Sequence, residues 1–96
     1  MGQYVAPLRD MQFVLHELLN VEAELKQLPA YAEVDADIIN QILEEGGKFT
    51  SQVLFPLNHS GDREGCHHDK ETKTVTTPKG FKEAYQQYVE IGRAHV

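Results

Sequence analysis

Along four stretches of this chain, apolar residues recur at steps of three and four, the period of a helix that buries one face. Each stretch is bounded by a proline, a glycine or a capping residue, which leaves room for short helices and little else. The first carries Leu8, Met11, Leu15 and Leu18, widened by Val14 and Leu19, and Pro7 suits its opening turn. Asn20 is expected to cap a second helix with Val21, Leu25 and Leu28 on its face, which Pro29 stops; the two could also form one bent segment. The third and longest opens at Asp35 or Asp37 and carries Ile38, Ile39, Ile42, Leu43, Phe49, Val53 and Leu54 to about Phe55. Gly46 and Gly47 interrupt it, each costing about 1 kcal/mol relative to alanine. They mark either a weak point or a place where another helix approaches closely because no Cβ stands in the way.

From Asn58 to Thr76 the chain turns polar, with Gly61, Gly65 and the charged run Asp62-Arg63-Glu64, so one long polar loop is expected there. Lys73 to Thr77, rich in Thr and Val, suits a short strand within it. Thr77-Pro78 reads as the start of the fourth helix, with Thr as N-cap, Pro at the first position and Phe81, Ala84, Tyr85, Tyr88 and Val89 as its buried stripe. The fold class expected is all-α, about four helices with one long loop.

Length and charge narrow the function. Ninety-six residues with 41% hydrophobic and 25% charged content fit at most one small globular domain. The net charge of −6 resides in residues 1–48, which hold three cations (Arg9, Lys26, Lys48) and nine anions, whereas residues 49–96 hold six of each. Nucleic acid is therefore disfavoured as a partner, since phosphate binding depends on clustered Lys and Arg. A single cysteine, Cys66, cannot make an internal disulfide, which points to a reducing cytoplasm. No basic-then-apolar leader opens the chain and no window approaches the roughly 18 apolar residues of a membrane span.

The short chemical motifs fail when tested. His16-Glu17-Leu18-Leu19 begins like the zinc-protease pattern, but Asn20 stands where the second His is required. Gly47-Lys48 resembles the end of a phosphate loop, yet Phe49 replaces the magnesium-binding hydroxyl and Ile42 the earlier glycine. His59, Cys66, His67, His68 and Asp69 carry zinc-ligand chemistry, though their spacing fits no recurrent finger and a solvated loop is the simpler expectation. Asn58-His59-Ser60 is a glycosylation sequon that matters only in a secreted chain. Tyr4, Tyr31, Tyr85 and Tyr88 suit packing or an interface better than catalysis.

Longer strings say more. Tyr4-Val5-Ala6-Pro7-Leu8-Arg9-Asp10-Met11 followed by Phe13-Val14-Leu15-His16-Glu17 resembles the N-terminal extension of bacterial acyl-CoA dehydrogenases of the long-form group that includes the 3-methylmercaptopropionyl-CoA enzymes. Asp35-Ala36-Asp37 through Pro56-Leu57-Asn58, Gly61-Asp62-Arg63-Glu64-Gly65-Cys66 and Thr77-Pro78-Lys79-Gly80-Phe81-Lys82-Glu83-Ala84-Tyr85 resembles the start of that family's helical N-terminal domain. The resemblance covers about residues 2–90 and departs locally at Gly46-Gly47, where a small residue followed by glycine is expected. It implies a homo-oligomeric FAD enzyme that desaturates acyl-CoA thioesters, in which a carboxylate takes the α proton, the β hydrogen leaves as hydride to the flavin, and an electron-transfer flavoprotein takes the electrons. It also implies that the base and most flavin contacts lie in later domains, so no catalytic, cofactor-binding or metal residue carries over to this sequence. Glu44 and Glu45 read as a solvated helix edge. The first helices are implied to wall one side of the acyl pocket and to pack on the later domains.

The resemblance divides the chain into an extension (1–34), the start of the helical domain (35–90) and a tail (91–96). Ile91-Gly92-Arg93-Ala94-His95-Val96 leaves the family pattern abruptly, and the codons ATC GGA AGA GCA CAC GTC that would encode it match a common short-read sequencing adapter. Residues 91 or 92 to 96 are accordingly expected to be non-native, and the chain to be an inactive fragment of the enzyme. The alternative is a small acidic helical module that docks a protein partner through its Phe and Tyr stripes.

Overall fold

The computed structural model describes residues 2–94. The chain is mostly helical and divides into two compact units, Val5–Lys48, and the residues from Phe49 onward with those up to Tyr4. Each is described by itself.

The first unit opens with α1 (Leu8–Gln12), whose backbone continues into a π turn over Phe13–Leu18. There the Leu19 N–H donates to the Val14 carbonyl five residues back, at 2.9 Å. Asn20 then takes a left-handed conformation (φ 51°, ψ 50°) and makes no side-chain cap bond to α2 (Val21–Lys26). The expected N-cap is thus a backbone hinge instead, a conformation Asn tolerates better than most residues, and α1 and α2 are separate helices. Pro29 stops α2 as expected and starts a single 3₁₀ turn, Pro29–Tyr31.

Helix α3 (Ala36–Phe49) is capped by Asp35, whose Oδ1 accepts the Ile38 N–H at 2.8 Å, while Asp37 places negative charge in the first turn. It runs antiparallel to α1. Leu8 lies against Gly47 near the end of α3, and His16 Nε2 meets Asn40 Oδ1 at 2.6 Å near its start. The two readings of the glycine pair divide between them. A Cβ on Gly47 would stand 3.2 Å from Leu8 Cδ2 and 3.4 Å from Ala6 Cβ, a close approach; a Cβ on Gly46 would meet nothing within 4 Å, which leaves only the propensity cost. Ile39 is the buried centre of this unit. The expected stripe of α1 is corrected: Leu8, Gln12, Leu15 and His16 are half-buried, while Met11 and Leu18 are exposed.

In the second unit the helical backbone does not stop at Phe55. A second π turn, Thr50–Leu54, closed by the Phe55 N–H on the Thr50 carbonyl, leads directly into α4 (Phe55–Glu64). The expected loop from Asn58 to Thr76 is therefore wrong over its first third. Its polar residues are the solvated side of a helix: Arg63 Nη1 lies 3.5 Å from His59 Nε2 one turn back, and Ser60 Oγ lies 3.4 Å from the Pro56 and Leu57 carbonyls. Polarity alone does not separate a loop from a helix with little buried surface.

Gly65 (φ 70°) ends α4, and the remainder of the expected loop is a β-hairpin, β1 (His67–Asp69) with β2 (Thr74–Thr76). The pairing is antiparallel, His67 opposite Thr76, His68 opposite Val75 and Asp69 opposite Thr74. Asp69 Oδ1 orders the connection by accepting the N–H groups of Glu71 (2.9 Å) and Thr72 (3.3 Å).

The fourth helix, α5 (Phe81–Ala94), starts three residues later than Thr77-Pro78 suggests. Pro78 instead begins a turn closed by the Phe81 N–H on its carbonyl at 3.2 Å, with Gly80 at φ 92° in the third position. Of the expected α5 stripe only Ala84 is buried; Tyr85 and Tyr88 are 68% and 62% exposed. Of the expected tail, Ile91–Ala94 continue α5, and His95 and Val96 lie outside the described residues.

Candidate functional site

An open apolar groove of about 580 Å³ lies within the second unit. Helix α5 supplies Phe81, Ala84, Tyr85 and Tyr88 along one wall; Phe49, Leu54, Phe55 and Leu57 from the facing helix form the other. Thr50, Asn58 and Tyr4 complete it.

Two glycines bring the walls together. Gly61 receives the ring of Phe81, whose Cε1 would stand 2.7 Å from a Cβ there, and Gly80 receives Leu57, whose Cδ2 would stand equally close. Gly80 thus answers two demands, a left-handed backbone and a missing Cβ. At the other end the rings of Phe49 and Tyr88 sit 5.9 Å apart, inclined at 40°. Across the turn before α5, the Lys79 N–H donates to Glu64 Oε2 at 2.7 Å and ties the end of α4 to the entry of α5.

This groove can bind apolar matter and little more. Its lining carries no carboxylate, imidazole or amine; its polar groups are the Thr50 hydroxyl, the Asn58 amide and tyrosine phenols. A smaller concavity of about 380 Å³ in the first unit is formed by Arg9, Asp10, Gln12, Phe13, His16 and Glu17, with both signs of charge on one helix.

The residues with zinc-ligand chemistry do not converge. His59 lies on α4 beside Arg63, Cys66 is exposed, and His67 and His68 are successive residues of β1, so their side chains leave opposite faces of the strand. Asp69 is engaged with the hairpin connection, and among the described residues no group of three such side chains could hold a metal ion. Glu44 is exposed and Glu45 pairs with Lys48 at 3.6 Å, a solvated edge as expected.

The sequence pattern brought out Phe49, Leu54, Phe81, Ala84, Tyr85 and Tyr88 as apolar positions of two helices. It missed Leu57, just past the expected end of the third helix, and Asn58 and Gly61, which fell in the expected loop. Pro56, well placed in the first turn of a helix, was the one local signal that the helix continued.

The chain is a homologue of acyl-CoA dehydrogenases. It is 37% identical over 89 residues to 3-methylmercaptopropionyl-CoA dehydrogenase of Ruegeria pomeroyi, and 33% identical over 91 residues to butyryl-CoA dehydrogenase of Syntrophomonas wolfei. Each alignment covers 93% of this chain and 15% of the relative, so the chain spans about one seventh of the length of the enzymes it matches, consistent with an N-terminal fragment. No family model matches it. Among the described residues no helix is long and apolar enough to cross a membrane.

Proposed function

We propose that this chain is the N-terminal segment of a flavin-dependent acyl-CoA dehydrogenase, an oxidoreductase that introduces an α,β double bond into an acyl-CoA thioester and passes the hydride to FAD. The observation that carries this reading is similarity to two such enzymes along 93% of the chain. In this reading residues 1–34 are the extension and 35–90 the start of the helical domain. The whole enzyme is a cytoplasmic homo-oligomer that delivers electrons to an electron-transfer flavoprotein.

The groove does not itself fit a flavin pyrophosphate: it has no cation to meet one, and the Lys79 N–H at the entry to α5 is already held by the Glu64 carboxylate. In this reading the groove takes no step of the desaturation. Its residues hold apolar walls for what the rest of the enzyme supplies.

Two preparations test the proposal: the longer reading frame that contains this segment, and the 96-residue chain alone. The first should purify with bound flavin and reduce an artificial acceptor when given an acyl-CoA, and the second should do neither. Turnover above blank by the short chain, or a long frame that neither binds flavin nor responds to acyl-CoA, overturns the reading.

A further inference from the structure

The three contacts that hold α5 come from positions that a regular helix would point in different directions. Phe49 meets Tyr88, Leu57 meets Gly80, and Gly61 meets Phe81. An α-helix turns by about 100° per residue, so Leu57 would lie about 80° and Gly61 about 120° away from Phe49 around the axis. The π turn between them absorbs one residue without advancing the phase. Counted that way, all three fall within about 20° of one line. Thr50 and Asn58, which share the edge of the groove, are separated by the same eight residues and are aligned by the same device.

The first unit repeats the arrangement with different side chains. Leu8 and His16 are also eight residues apart, with His16 inside the π turn, and both face α3, where their partners Gly47 and Asn40 are seven apart on an uninterrupted helix. Seven residues return to within about 20° of the starting direction, whereas eight do so only across a wide turn.

We infer that the wide turn at Thr50–Leu54 is a register device: its extra residue brings two stretches of helix into phase so that Phe49, Leu57 and Gly61 form one seam against α5 and open the groove beside it. The turn at Phe13–Leu18 performs the same task for α1 against α3.

Two measurements on the 96-residue chain test this. Through-hydrogen-bond NMR coupling should join the Phe55 amide to the Thr50 carbonyl; coupling to the Ser51 carbonyl instead would mean a regular helix and overturn the inference. The second is a deletion series. Gly61→Ala in the parent chain forces a Cβ into the Phe81 ring and should lower the urea midpoint by roughly half a molar or more. Deleting exposed Gln52 removes the extra residue and leaves a regular helix with Phe49, Leu57 and Gly61 still on one line against α5. In that background Gly61→Ala should lower the midpoint about as much as in the parent. A loss in the parent that vanishes in the deletion background would show that the deletion rotates Gly61 away, as it would in a helix that was regular to begin with, and the inference would fail. If the deletion variant does not fold, the amide coupling by itself distinguishes the wide turn from a regular helix.

Discussion

The two units solve one problem with opposite chemistry. Each packs two helical stretches antiparallel, each lets a side chain close on a glycine, and each carries a π turn that aligns its contacts. In the Val5–Lys48 unit the far end is fastened by a hydrogen bond between His16 and Asn40, and this unit carries all of the chain's net charge. In the other it is fastened by the Phe49–Tyr88 ring pair, with six cations balanced by six anions. A hydrogen bond fixes direction over a short distance, whereas aromatic contact is a matter of area and tolerates an open edge. The aromatic unit keeps an open apolar groove lined in part by Tyr85 and Tyr88.

Five substitutions probe that contrast. The largest effect is expected from Phe49→Ala, which removes a side chain only 7% exposed together with its partner ring: a loss of about 3 kcal/mol, read from chemical denaturation, with amide protection falling first along α5. Unchanged protection in α5 would mean that the ring pair does not hold that unit. Next, Gly80→Ala should cost about 2 kcal/mol through its positive φ and the Leu57 contact; a neutral result would remove the glycine from the account. In the polar unit, Asn40→Ala should cost about 1 kcal/mol and loosen α1 against α3, a difference visible in exchange of the α1 amides. The smallest effects separate the glycine pair. Gly46→Ala should stabilise by up to about 1 kcal/mol, and Gly47→Ala by less, since Leu8 must give way. Equal gains at both positions would show that Leu8 does not press on Gly47.

Exposure of the groove has its own consequence. With Phe81, Tyr85 and Tyr88 uncovered, the 96-residue chain should show helical circular dichroism, a broad melt and self-association with rising concentration. A sharp, concentration-independent transition from a monomer would count against an uncovered face.

Much of the architecture was legible because its signals are local. Asp35 caps α3 through its own backbone neighbours, Pro29 stops α2, and the Thr-rich run before Thr77 pairs as a strand; none of these needs a distant partner to be recognised. The candidate site was half legible. Its α5 wall follows a regular helical period, whereas the opposite wall crosses a π turn and enters a stretch too polar to suggest a helix. Leu57, Asn58 and Gly61 were missed for that reason.

The cap of α3 at Asp35, the stop of α2 at Pro29, the division of charge along the chain and the likeness to acyl-CoA dehydrogenases are thus properties of the residue order alone. Phase and contact were settled only by packing: which of Leu8, Met11 and Leu18 turns inward, which of Gly46 and Gly47 is pressed by a neighbour, and whether Gly61 lies in a loop or receives a ring. The physical reason lies in range. Caps and stops are hydrogen bonds within a few residues of the chain. A wide turn, by contrast, is selected by the fit of side chains eight residues apart against another helix, and a 3.6-residue pattern carries no mark of it.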